Sequence, residues 1–142
     1  MSVDRNREVV LRFFDAYNER NYELLGRCLA DDFVSNVIPE ALGQGRQALF
    51  EFLRMSFDAF PNIRNDVLDV VAEGDLAAAR VGVTGTHGGE FLGIPASGNT
   101  LEFEDAHFFR LNENCEIVAH WNYYDNLTVL QQLGVITEDI GG

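Results

Sequence analysis

Lysine is absent from this 142-residue chain: all ten basic side chains are arginine, against 23 acidic ones, for a net charge of −13. A surface this negative repels phosphate backbones and anionic lipid, which excludes nucleic acid and membrane surfaces as partners. Self-repulsion at that density strains a compact fold at low ionic strength. One source is a salt-loving organism, whose cytoplasm would shorten the Debye length to ~3 Å at 1 M salt. The other is arginine-biased codon usage with an acidic drift. Cysteine is scarce too. Cys28 and Cys115 have no metal-ligand spacing and read as two free thiols. No apolar run approaches the ~20 residues that cross a bilayer. The start, MSVDRNREVV, is charged and lacks a signal-peptide core, so the expected location is cytoplasmic. The length suits one domain over 1–142.

What is present is a large apolar fraction, 46%, with eleven phenylalanines. Val9, Val10, Phe13, Phe14 and Tyr17 recur at three- and four-residue spacing, which predicts a helix over about 4–19. Leu24, Leu25, Cys28 and Leu29 extend the pattern into a second helix after a break at 18–21. Residues 32–38 read as a strand ending at Pro39, and 43–45 as a turn. A third helix buries Leu49, Phe50, Leu53, Phe57 and Phe60 and stops at Pro61. Beyond it the chain is mostly β. Strands are expected at 63–73 and 76–87 across the turn Glu73-Gly74-Asp75, and at 99–112 and 116–124 as a hairpin. A glycine-rich loop, 88–98, lies between the pairs, and a short helix at 126–133 ends the fold with Asp125 as its N-cap. Helices followed by a meander of long strands give an α+β layer.

The segments FPNIRNDVLDVVAEGD, RVGVTGTHGGEFLGIPASGNTLEF, FFRLNENCEIVAHWNYYD and VLQQLG span Phe60 to Gly134. With the long motif GTHGGEFLGIPASG, this chain resembles the SnoaL-like polyketide cyclases, also called ester cyclases. The resemblance implies a nuclear-transport-factor-2-like, cystatin-like α+β roll. In it a cone-shaped, curved, mostly antiparallel sheet wraps around N-terminal helices. It further implies intramolecular aldol closure of a polyketide ester, no cofactor or metal, a small-molecule substrate, and homodimers formed through the sheet.

Strand alternation places His120, Asn122 and Tyr124 on one face, with Trp121 and Tyr123 on the other. His107 shares its face with Asp105 and Phe109. By resemblance to ketosteroid isomerases, His107 stands where a donor meets an enolate oxygen. Relatives with His-Trp-Asp carry a carboxylate where this chain has Asn122, and an amide cannot take a proton near neutral pH. His120 is then the candidate base. Arg80 resembles the arginine of the limonene epoxide hydrolases, but Gly82 replaces their aspartate, which excludes epoxide hydrolysis. Arg80 either binds a substrate carboxylate or lies on an exposed sheet face. Asn36 is a candidate ligand contact on a pocket-forming strand, by the same resemblance. Tyr17 and Phe14 read as core, His87 as structural in its loop, and Glu102-Glu104-Asp105 as a solvated face.

Two functions remain open at this stage. One is a cofactor-independent cyclase acting by enolate chemistry on a small apolar carbonyl compound, with His107 as oxyanion donor and His120 as base. In that reading Asn122, Arg80, Tyr124 and Asn36 bind substrate. The other is a non-catalytic small-molecule-binding protein that kept the pocket and lost the carboxylate at position 122.

Overall fold

A computed structural model describes residues 2–136. Four helices and five strands form the α+β layer: α1 Val3–Glu19, α2 Tyr22–Arg27, β1 Leu29–Ser35, α3 Arg46–Ala59, β2 Arg64–Glu73, β3 Leu76–Thr86, β4 Thr100–Leu111, β5 Ile117–Tyr123 and α4 Asn126–Gln132. One 3-10 turn, Glu40–Leu42, precedes α3. No helix among the described residues is long and apolar enough to cross a membrane.

Local chemistry explains the helix ends. The Ser2 hydroxyl caps α1 by accepting from the Arg5 amide at 3.2 Å. At the other end Arg20 takes a left-handed conformation, φ 59°. Its guanidinium compensates by donating to the carbonyls of Tyr17, Asn18, Pro61 and Ile63 and by lying 4.0 Å from the Phe57 ring. It thus fixes the end of α1 to the entry of β2. Asp125 caps α4 through the Thr128 amide and hydroxyl, as expected.

The sheet is open and mixed, in the order β1-β5-β4-β3-β2. β2 to β5 form the expected antiparallel meander. β1 is different: it crosses the whole fold to pair with β5 in parallel, with Ser35 opposite His120. β1 also starts three residues earlier than its sequence suggests. Leu29 and Cys28 had prolonged the helical pattern, yet Leu29 is fully buried at the start of the strand. Tertiary burial outweighs a helical spacing carried by one extra residue.

Phe13 and Phe14 of α1 meet Phe109 of β4 in edge-to-face contacts at 5.3 and 5.9 Å. All three are buried, each worth about 1.5–3 kcal/mol of apolar burial. Cys28 and Cys115 are buried thiols. The glycine-rich loop docks on the end of α3, where the amides of Gly88 and Gly89 both donate to the Ala59 carbonyl at 2.9 and 3.0 Å. A β-carbon at Gly89 would collide with the Asp58 carbonyl oxygen, so this position admits only glycine without a shift of backbone.

Candidate active site

The inner face of the sheet, α1, α3 and α4 line a half-open cavity of about 260 Å³. An apolar cavity of roughly 150 Å³ holds benzene, so this one suits a molecule of about two fused rings. Its walls are mostly aromatic and aliphatic, from Phe13, Leu53, Phe60, Val83, Leu101 and Phe103 among others. The polar groups gather on β4 and β5.

Strand parity explains that gathering. On β4, Leu101, Asp105, His107 and Phe109 are buried on the inner face, whereas Glu102, Glu104 and Arg110 are exposed on the outer one. The acidic group Glu102-Glu104-Asp105 is therefore split. Two members are solvated, as expected, but Asp105 is turned inward and is only 9% exposed. The solvated face expected for all three is thus corrected for Asp105, and the strand alternation that set it on the face of His107 holds.

Asp105 ends a hydrogen-bonded chain through the core. Its Oδ1 is 3.0 Å from His107 Nε2. His107 Nδ1 is 2.9 Å from His120 Nε2, and His120 Nδ1 is 2.8 Å from Ser35 Oγ. The parallel pairing of β1 with β5 supplies that serine. With Asp105 ionised and both imidazoles neutral, each bond of the chain has one direction. A carboxylate only accepts, so His107 carries its proton on Nε2 and accepts at Nδ1 from His120 Nε2–H. His120 Nδ1 then accepts from the Ser35 hydroxyl, whose oxygen in turn accepts from the Val37 amide at 3.2 Å. Burial, reinforced by the neighbouring His107, holds His120 well below the ordinary histidine value. Phe13 and Phe109 pack on His120 and Phe14 on His107, with ring centroids 4.9–5.5 Å apart.

The other carboxylate oxygen faces Asn122. Asn122 Nδ2 donates to Asp105 Oδ2 at 3.0 Å and to the Ala106 carbonyl at 3.3 Å. The amide that replaces the carboxylate of the His-Trp-Asp pattern thus orients a carboxylate one strand away.

The structure brings His107, His120, Asn122, Tyr124 and Asn36 to the same cavity. His107 and His120, however, have both ring nitrogens engaged. Neither offers a free lone pair or N–H to a ligand, which the roles of base and oxyanion donor would need. Asn36 stands at the rim. Its amide brackets the Asn122 backbone, accepting from its N–H at 2.8 Å and donating to its carbonyl at 3.3 Å. Tyr124 is half exposed at the mouth, with its ring 5.9 Å from Phe103. Arg80 is the exception and does not reach the cavity. Its neighbours Ala79 and Val81 are the buried ones, so parity sends Arg80 to the outer face. There it pairs with Asp69 and Glu104, each at 2.7 Å. It is a surface residue outside the cavity.

Tyr17 is a contact that the sequence reading assigned to the core. It lines the cavity, and burial holds its phenol well above the ordinary tyrosine value, so it stays a hydrogen-bond donor. Phe14 is core, as expected. His87 is buried in the loop, stacked on Phe60 and held by Ser97 at 3.0 Å. No group of three or more His, Cys, Asp or Glu side chains among the described residues is arranged to hold a metal ion.

A model of the SnoaL-like polyketide cyclase family matches residues 7–133. Among curated proteins none matches the chain. Among solved structures, IdmH of Streptomyces antibioticus, which carries a provisional polyketide-cyclase assignment, is 30% identical over 91% of this chain and 98% of its own, with a TM-score of 0.78. TsrD of Streptomyces laurentii is 26% identical over 96% of this chain and 99% of its own, with a TM-score of 0.86. AclR of Streptomyces galilaeus, provisionally a hydroxylase, shares the fold at 23% identity and a TM-score of 0.81, over 97% of this chain and 86% of its own. With the family match running through α1 to α4, the chain belongs to the SnoaL-like polyketide cyclases.

Proposed function

We propose that this protein closes a ring by cofactor-independent aldol chemistry on a small, largely apolar carbonyl compound of the polyketide ester class, with Asp105 as its base. The observation that carries this reading is the setting of Asp105. It is a carboxylate on the cavity wall, oriented by His107 on one oxygen and by Asn122 on the other. It supplies the proton acceptor that position 122 lacks. His107, His120 and Ser35 are positioning residues: a neutral chain of donors that fixes the carboxylate without protonating it.

In the proposed reaction Asp105 takes the proton from the carbon next to an activated carbonyl. The C–H electron pair becomes the enolate. The enolate carbon attacks a second carbonyl of the same molecule, forming the ring bond and an alkoxide. Asp105 then returns its proton to that alkoxide, so the base is regenerated and nothing is oxidised or reduced. The Tyr17 phenol is the available donor to the enolate oxygen, because donors placed where charge develops lower the barrier most. The apolar walls exclude water that would compete for the enolate.

The test is turnover of an aromatic polyketide methyl ester, followed with exchange of its α-proton for solvent deuterium. Asp105→Asn should slow both by about 10²–10⁴, the usual cost of losing a general base. Equal rates in wild type and variant would remove Asp105 from the chemistry. Binding without turnover in either protein would favour the non-catalytic binding protein, a reading suited by the engaged nitrogens of both histidines.

A homodimer belongs to the same proposal. Phe108 and Tyr123 are exposed side by side on the outer sheet face, with ring centroids 6.2 Å apart. Sedimentation should give a dimer for the wild type and a monomer for Phe108→Glu; a monomeric wild type would end this part of the reading.

A further inference from the structure

The cavity has a second polar position, far from Asp105, that the aldol step leaves unused. Asn65 lies on the inner face of β2, only 8% exposed, and lines the cavity. Its side-chain oxygen is buried with no hydrogen-bond partner among the described residues. Buried amides are nearly always paired, because an unmet acceptor loses its water and gains nothing in return. The structural work at this residue is done by its backbone. The Asn65 amide donates to Asn18 Oδ1 at 2.9 Å, and its carbonyl accepts from Asn18 Nδ2 at 2.7 Å. That two-point clamp joins the end of α1 to β2. The side chain takes no part in it.

The sheet register locates Asn65 relative to the base. Asn65 pairs with Val83, and Val83 with Phe103, two residues before Asp105 on β4. Two strand spacings of ~4.8 Å and two residues of ~3.3 Å set the α-carbons of Asn65 and Asp105 on the order of 10 Å apart. Between them the lining is apolar: Val83 and Phe103.

We infer that Asn65 is a recognition point for a second oxygen of the ligand, a hydroxyl or carbonyl at the end of the ring system remote from the carbon that Asp105 deprotonates. This rests on the reading that the cavity is the substrate site. An amide presents an acceptor or, turned about its last bond, a donor, so it meets either oxygen function. A ligand apolar at that end leaves the amide unmet and binds more weakly. The chemical class selected is a fused-ring compound oxygenated at both ends.

The experiment compares two fluorescent probes, 2-naphthol and 2,6-naphthalenediol, by equilibrium titration of the whole chain. Wild type should bind the diol about tenfold more tightly, the factor expected for one buried hydrogen bond. In Asn65→Leu the preference should fall to about unity, with 2-naphthol bound as well as before. The melting temperature of the unliganded variant should not fall, because no bond within the fold is lost. Failure of wild type to distinguish the probes would overturn the assignment, as would a tenfold preference persisting in Asn65→Leu. A melting temperature lowered by several degrees would also overturn it, by showing the amide to be bonded within the fold. None of these outcomes bears on Asp105, whose role is read separately from α-proton exchange.

Discussion

Asn122 and Asp105 face each other across β4 and β5, amide nitrogen to carboxylate oxygen at 3.0 Å. The His-Trp-Asp pattern has its carboxylate at position 122 of β5; here the pair has an amide on β5 and a carboxylate on β4. If the carboxylate is what matters, its strand is secondary. Asp105→Asn should be nearly inactive. Asn122→Asp alone would set two carboxylates against each other, and one would remain protonated. The double exchange, Asp105→Asn with Asn122→Asp, should recover part of the activity lost in Asp105→Asn. Steady-state turnover of the three variants checks this. A double variant no better than Asp105→Asn would show that only the β4 position can serve.

Stability should depend on pH through His120. Burial keeps its folded-state value well below the ordinary 6.5. The unfolded chain therefore binds this proton more readily than the folded one. The contribution is full above about pH 6.5 and is lost as pH falls below it, at up to about 1.4 kcal/mol per pH unit, until the folded value is reached. Urea unfolding between roughly pH 5.5 and 7.5 should show that slope in wild type and a shallower one in His120→Gln. Identical slopes would mean that His120 is not the group responsible.

The Gly89 contact offers a test of how the long motif folds. Adding one methyl in Gly89→Ala forces the loop off the Asp58 carbonyl and weakens its two bonds to Ala59. The expected loss is about 1–3 kcal/mol. It should be read as a drop of several degrees in Tm. The equivalent change at Gly93, which has open space around it but φ 83°, acts through backbone strain alone and should cost less. Equal losses at the two sites would remove the collision as the cause.

Salt should stabilise the fold. Seven arginines sit in exposed pairs with carboxylates, from Arg7–Asp4 to Arg110–Asp75, and salt weakens such pairs. Each contributes at most about 1 kcal/mol. Against this, the net charge of −13 leaves an excess of acids that no arginine can match. Screening that excess should win, and Tm should rise as potassium chloride goes from low to molar concentration. A flat or falling Tm would argue against adaptation to a salty cell interior and leave codon bias as the source of the lysine-free composition.

The sequence alone determined the α+β layer, the helix faces, the meander from β2 to β5 and the side on which each inner residue falls. These are local properties. Periods of 3.6 and 2, caps such as Asp125 and stops such as Pro61 act within a few residues. The same parity held the evidence for Asp105 beside His107 and for an outward Arg80. The run of acids had also suggested a solvated face for Asp105, and for Arg80 the outward position was one of two alternatives. The tertiary structure alone decided which groups the histidines bond to. Ser35 reaches His120 across 85 positions only because β1 crosses to pair in parallel with β5. No local spacing encodes that crossing, since it depends on which sheet edge is left open once the other four strands have paired. Through that pairing both nitrogens of each imidazole are engaged, and the two histidines join Ser35 to the Asp105 carboxylate.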